Sequence, residues 1–218
     1  ALQCILVETS IWIYDRNSMI VSSLAMGLAP MLSPLCWQGV FLPILPHSMS
    51  TLLQAPVPSI LGVTGEIENC ILEERDDVVI WDVKSGKVGN GIPRNNAKSS
   101  ILPLLGRSKR LAKDLGKILS VLQKSCTKTT EDESDQRISL DLVEKSVKAS
   151  VSVAVQRACE AYVSDIIDSA IEFKDSGGQK PAGGFGFFSK WSKMERSFFE
   201  KFIKTQLFEQ HSARVLQE

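Results

Sequence analysis

From Asn17 to Gly65 the chain contains no Asp, Glu, Lys or Arg, and no other feature limits its fold as much. A run of that length without a charge is either inserted in lipid or packed into a core. Ile20 to Pro46 is apolar over more than a membrane span, so a transmembrane pair satisfies the length rule. Ser22, Ser23, Pro30, Ser33, Pro34, Gln38, Pro43 and Pro46 cut the run into pieces too short to cross. Helices broken that often would leave backbone groups unpaired in hydrocarbon. The reading favoured is therefore a soluble core. Charge is scarce around the run too: residues 1–70 hold Glu8, Asp15, Glu66 and Glu68 against one cation, Arg16. Nearly all other basic groups lie later in the chain. Over the 218 residues, 25 Lys and Arg balance 25 Asp and Glu, so no global field favours nucleic acid.

The core reading gives an ordered pattern. Ile11-Trp-Ile-Tyr14 is a continuous apolar run of the kind a parallel strand buried on both faces shows. Asp15-Arg-Asn-Ser18 supplies turn residues, with Asn17 or Ser18 as helix cap. Met19–Ala29 follows as an apolar helix stopped by Pro30 and Pro34. Residues 37–42 form a second strand, Ser48–Gln54 a short helix, residues 59–63 a third strand, and residues 78–83 a fourth, turned by Lys84-Ser-Gly-Lys87. This alternation predicts an α/β fold: a parallel-rich sheet with helices on both faces, followed by a helical C-terminal part. The tryptophans Trp12, Trp37 and Trp81 fall on strand patterns and are assigned to the core. Trp191 can serve as core or contact.

The division expected is an α/β core over 1–92 and a helical part over 93–218. Ser108–Leu122 places Leu111, Leu115, Ile118, Leu119 and Leu122 on one face. Lys109, Arg110, Lys113 and Lys117 lie on the other, with Arg107 just before. That basic face reads either as a contact for anionic lipid or an acidic partner, or as an ordinary solvated face. Polar residues near 125–137, including Glu131-Asp-Glu-Ser-Asp135, and the Gly-rich stretch 174–186 are expected as mobile loops. Between them Ser139–Phe173 keeps helical spacing through Val143, Val147, Val151, Val155, Cys159, Tyr162, Ile166 and Phe173, as one long helix or two abutting ones. Trp191–Val215 closes the chain as an aromatic-rich helix.

Motifs for covalent chemistry are missing. No phosphate-cradling G-x-x-x-x-G-K-[ST] occurs, and Gly62-Val-Thr-Gly65 lacks the lysine. There is no G-x-S-x-G elbow. Two histidines, His47 and His211, stand far apart. Five cysteines, at 4, 36, 70, 126 and 159, form no C-x-x-C pair, which fits a reducing, cytoplasmic setting rather than a disulfide or zinc framework. No cofactor, metal or catalytic residue is expected. The chain has no initiator Met or secretory signal and opens on Ala1-Leu-Gln-Cys-Ile-Leu-Val7, as a piece of a longer product would.

One segment is specific. Leu32-Ser-Pro-Leu-Cys-Trp-Gln-Gly-Val-Phe-Leu-Pro-Ile-Leu-Pro46, then Leu52-Leu-Gln-Ala-Pro-Val-Pro-Ser-Ile-Leu-Gly-Val63, resembles the central part of a DENN domain. In that family a P-x-x-W-Q segment runs into a strand ending P-x-L-P, then a short helix, A-P-x-P and a strand ending G-V. Leu6-Val-Glu8 and Ile11–Tyr14 match the preceding helix end and strand, although Asp15-Arg16 replaces small residues common there. Thr205-Gln-Leu-Phe208, after Phe198, Phe199 and Phe202, resembles the family's final T-Q-x-F segment.

The resemblance implies a guanine-nucleotide exchange factor, or part of one, for a Rab-type small GTPase. It would act by binding the nucleotide-free state and needs no covalent chemistry of its own. The chain would be the C-terminal lobe of the domain, with an N-terminal longin-like lobe expected upstream of residue 1. A non-catalytic GTPase-binding or scaffold module in membrane trafficking is the alternative. Recruitment of a cytoplasmic protein to membrane surfaces is a further expectation. For the partner contact, Asp15, Arg16 and Asn17 are singled out, because ligands approach the carboxyl ends of strands in open α/β sheets. The plainer reading of the same triplet is a turn that caps the next helix.

Overall fold

A computed structural model of the chain describes residues 1–64, 78–89, 105–127, 137–176 and 191–217. A short helix α1, Leu2–Leu6, leads into strand β1, Ser10–Tyr14. Helix α2, Ser18–Leu28, begins at Asn17, whose side chain accepts from the Met19 and Ile20 amides, and gives way at Pro30 to a 3-10 turn, Pro30–Leu32. Strand β2, Val40–Leu42, a 3-10 segment, His47–Gln54, and strand β3, Ser59–Val63, follow. Strand β4, Val78–Asp82, turns back into β5, Lys87–Gly89. Among the described residues these make one five-stranded sheet of order β2-β3-β1-β4-β5. The first four strands are parallel and β5 is antiparallel to β4. The expected α/β class and mostly parallel sheet are therefore present.

Strand alternation divides the core. Trp12, Tyr14, Leu61, Val63, Val78 and Ile80 face one side with Leu45 and Leu53, the latter from the 3-10 segment. Ile11, Ile13 and Ile60 face the other, against Ala25 and Leu28 of α2 and the C-terminal helices. Gly62 is where the layers come closest. A Cβ there would lie 1.9 Å from the Pro43 carbonyl oxygen and 2.6 Å from Val21 Cγ1. Ser10 fixes the entry of β3, its Oγ donating to the Val57 carbonyl and accepting from the Ser59 amide, each at 3.1 Å.

The second strand is shorter than expected. Trp37-Gln-Gly39 stays outside it because the Trp37 indole N–H turns to donate to the Val40 carbonyl at 3.2 Å. Trp37 packs at the edge of the core instead of within the sheet. The hairpin partner β5 is an element beyond the four strands expected.

The C-terminal part is helical: α3, Gly106–Thr127; α4, Arg137–Asp175; α5, Lys193–Phe202; and α6, Gln206–Val215. The stretch 139–173 is thus a single helix. The loop expected near 125–137 is helical at 125–127 and at Arg137, and its remainder lies outside the described residues. Residues 177–186 of the stretch at 174–186 also lie outside them, while Lys174 and Asp175 end α4. The single closing helix is in fact two. Ser192 and Glu195 form a reciprocal capping box at α5, and Thr205 restarts the chain as α6 by accepting from the Phe208 amide at 3.2 Å.

Phe173, Phe198, Phe199, Phe202 and Phe208 share the hydrophobic cluster that holds Ile11, Ile13 and Ile60. Trp191 meets Phe199 edge to face at 5.0 Å between ring centroids. Helix α3 is tied in at its start, where Gln3 Oε1 accepts from the Leu105 amide at 3.4 Å and from Ser108 Oγ at 3.3 Å.

Candidate functional site

The triplet Asp15-Arg16-Asn17 stands at the carboxyl end of the middle strand. On one side the Asp15 amide donates to the Val63 carbonyl at 3.3 Å, and on the other the Val83 amide donates to the Tyr14 carbonyl at 3.0 Å. The chain leaves β1 toward the β2 side of the sheet, while β3 connects onward to β4 on the opposite side of β1. In open α/β sheets such a change of direction is where ligand clefts form, at the carboxyl edge.

The three side chains divide the work. Asp15 Oδ1 accepts from the Asn17 amide at 2.8 Å, closing the turn. Asn17 Oδ1 accepts from Met19 at 3.0 Å and Ile20 at 3.4 Å, satisfying two amides the first helical turn would leave open. Turn and cap geometry thus accounts for both polar neighbours. Arg16 is exposed and makes no ion pair among the described residues.

Beyond the triplet, α2 presents a face the charge pattern did not reveal. Val21, Ala25 and Leu28 point inward. Met19 is 75% exposed, Ile20 42% and Met26 57%. With Ser23 they make an outward helix face that has apolar bulk and no charge. Ile44, also exposed, lies on the same edge, since its neighbour Pro43 and Val21 of α2 both abut Gly62. A helix apolar on every side conceals which side is outward, so periodicity gave no signal here.

A second cleft, of about 270 Å³, opens between α3 and α4, lined by Arg107, Arg110, Leu111, Asp114, Tyr162 and Asp165. Its charges balance and are largely engaged. Arg107 bonds Asp165 Oδ2 at 3.1 Å, donates to the Asp165 carbonyl and to Ser169 Oγ, and lies 5.9 Å over the Trp191 ring. Arg107 is therefore turned toward the core and is no part of the basic face. Tyr162 hydrogen-bonds Ser108 at 2.8 Å. Burial pushes its hydroxyl above the ordinary value, against the opposing pull of that bond and of Arg107. Leu119 is 54% exposed, so it too departs from its expected face. His47 opens the 3-10 segment and His211 lies in α6. No group of His, Cys, Asp or Glu among the described residues could hold a metal, and no helix among them is long and apolar enough to cross a membrane. Cys4, Cys36 and Cys159 are free thiols.

The triplet, the Pro-rich path into β2 and β3, and α2 all lie within one stretch that a family model matches. Residues 1–86 match the DENN (AEX-3) domain. That part of the chain is similar to DENN-domain sequence, and the match covers less than half of the 218 residues. Two fungal proteins are similar to a stretch of this chain, both named "Elicitor of plant defense protein 1". The one from Gibberella zeae is 42% identical over 57 residues, which cover 26% of this chain and 5% of the relative. The one from Fusarium odoratissimum is 39% identical over 57 residues, 26% of this chain and 6% of its own length. The chain thus spans only a small part of these relatives.

The DENN match ends before the T-Q-x-F resemblance begins, but the two stretches touch. Glu8, within the matched segment, accepts the Leu207 amide on Oε1 at 2.9 Å. Its carboxylate caps α6 across 199 positions of sequence.

Proposed function

We propose that this chain is part of a guanine-nucleotide exchange factor for a Rab-type small GTPase, acting in the cytoplasm. The observation that carries the reading is the DENN match over residues 1–86, on a mostly parallel sheet with an exposed Arg16 just past the carboxyl end of its middle strand. An exchange factor needs a surface that prefers the nucleotide-free GTPase, since only differential affinity shifts that equilibrium. The exposed Arg16, flanked by Met19, Ile20 and Met26, offers one cation beside uncharged apolar area. It is the contact we assign to the GTPase, with Asp15 and Asn17 holding the turn in shape.

A longin-like lobe upstream of residue 1 would supply the rest of the interface. The entropic cost of association is incurred once whatever the area, so half an interface retains much less than half the useful affinity. The test is release of fluorescent GDP from a panel of Rab-type GTPases. Residues 1–218 alone should accelerate release weakly or not at all, and adding the lobe, in cis or in trans, should restore exchange on one or a few members. Arg16→Glu should weaken GTPase binding and leave thermal stability nearly unchanged. Strong exchange by the chain alone would show that the active surface is elsewhere. GTPase binding without exchange, with both lobes present, would favour a scaffold in membrane trafficking.

A further inference from the structure

Helix α3 carries its charge on one ridge. Lys109, Lys113 and Lys117 follow each other at four-residue intervals, and Arg110 lies beside them; all four are exposed. At 1.5 Å per residue the ridge from Lys109 to Lys117 is about 12 Å long. At 100° per residue Lys109 and Lys113 fall opposite Leu111, Leu115 and Ile118, the partly buried side packed on α4, while Lys117 and Arg110 lie toward the flank, Arg110 at the rim of the α3–α4 cleft. The lysine row therefore faces away from α4. Asp114 is the lone acid on α3 and pairs with Lys117 at 3.1 Å. Lys109, Arg110 and Lys113 have no ion pair among the described residues. The whole chain has a net charge of zero, so this is a local concentration of charge and not part of a general excess.

We propose that the α3 ridge is a docking surface for an anionic membrane. Three points favour a lamella over an acidic protein. The cleft beside the ridge, with Arg110 in its lining, holds as many acids as cations, whereas an acidic peptide would need a cationic groove. Its charges are mainly lysines, point charges on long stems that suit a diffuse field of headgroups better than the fixed geometry of a carboxylate pair. Val121, 55% exposed, follows Lys117 on the same flank and can enter the headgroup layer. Binding is electrostatic, so it weakens with salt. The proposal does not depend on the GTPase reading.

The test is co-sedimentation of residues 1–218 with phosphatidylcholine vesicles containing roughly a third phosphatidylserine, against pure phosphatidylcholine. The chain should bind the anionic vesicles and lose most binding between about 0.1 M and about 0.5 M salt. Each ridge lysine should contribute roughly fivefold, so Lys109→Gln, Lys113→Gln and Lys117→Gln together should lower partitioning about 100-fold. A triple control of equal charge change, Lys193→Gln, Lys201→Gln and Lys204→Gln, should change it much less. Circular dichroism of both variants checks folding. No binding, equal binding to neutral vesicles, or equal losses in the two variants would each overturn the proposal.

Discussion

Removing the Glu8 carboxylate should loosen the bond between the DENN segment and the last helix. Glu8 has φ at +54°, a left-handed conformation unusual for a residue with a Cβ. Holding such a residue there costs about 1 kcal/mol or slightly more. The bond to the Leu207 amide, at 2.9 Å and partly buried, is the visible compensation. Hydrogen bonds to a charged acceptor contribute about 1.5–3 kcal/mol, and the helix N-terminus adds a favourable field. Partial exposure lets water replace the acceptor, so the low end applies. Glu8→Ala should then destabilise by about 1.5–2 kcal/mol. Glu8→Gly loses the same acceptor but relieves the backbone, and should cost about 1 kcal/mol less than Ala. Glu8→Gln keeps an oxygen acceptor and loses the charge, and should cost about 0.5–1 kcal/mol. Urea unfolding of the 218-residue chain, followed by circular dichroism, measures all three. A neutral Ala variant, or a Gly variant less stable than Ala, would refute the reasoning.

Gly62→Ala should destabilise by about 3 kcal/mol, because the Pro43 backbone blocks the new methyl. Gly27→Ala meets nothing within 4 Å on α2 and should raise stability by about 0.5–1 kcal/mol; thermal melts of the pair compare them directly. Burial pushes the Cys4 and Cys159 thiols above their ordinary 9.0. The unfolded chain would bind fewer protons than the fold above that pH, so urea midpoints should fall as pH rises past 9.0. A fragment of residues 1–92 would expose the sheet face that holds Ile11, Ile13 and Ile60. It should show no cooperative melt, and a sharp transition in that fragment would contradict this.

The elements easiest to read were those whose local chemistry agrees with their packing. β1 and β3 are apolar on both faces and were legible as buried parallel strands, and the Asn17 cap followed from its place before an apolar run. The misses have identifiable physical causes. Trp37-Gln-Gly39 reads as strand, but the Trp37 indole N–H turns to the Val40 carbonyl, and that contact is invisible without the fold. β5 is only Lys87–Gly89, too short to show alternation. Arg107 carried a usable signal: Arg107, Leu111 and Leu115 share a four-residue spacing, so it belongs to the inward row and not to the lysine row. Leu119 continues that inward row, but each four-residue step drifts about 40° around the helix, and by the third step it has reached the flank. The break at Thr205 was also readable, because a threonine before Gln-Leu-Phe is an ordinary cap. Phenylalanine spacing on both sides concealed it.

Two surfaces exceed what folding requires of this chain. The inward residues of α2 must be apolar, because they cover the sheet. Met19, Ser23 and Met26 point away from it and could be lysine or glutamate without disturbing a core contact. The lack of charge there is thus not explained by burial, although it occurs in the same charge-free run as β2 and β3. Exposed apolar side chains are common singly. An entire outward helix face with no charge, beside an arginine that makes no ion pair among the described residues, resembles in composition a contact core, from which charged residues other than arginine are depleted. The α3 ridge departs in the opposite direction. A solvated face is soluble with charges of either sign, but four cations against a single acid repel one another and so weaken the helix. Packing on α4 would be served equally well by alternating charges. Neither helix face is accounted for by stability, so both point to binding, one through apolar area and the other through charge.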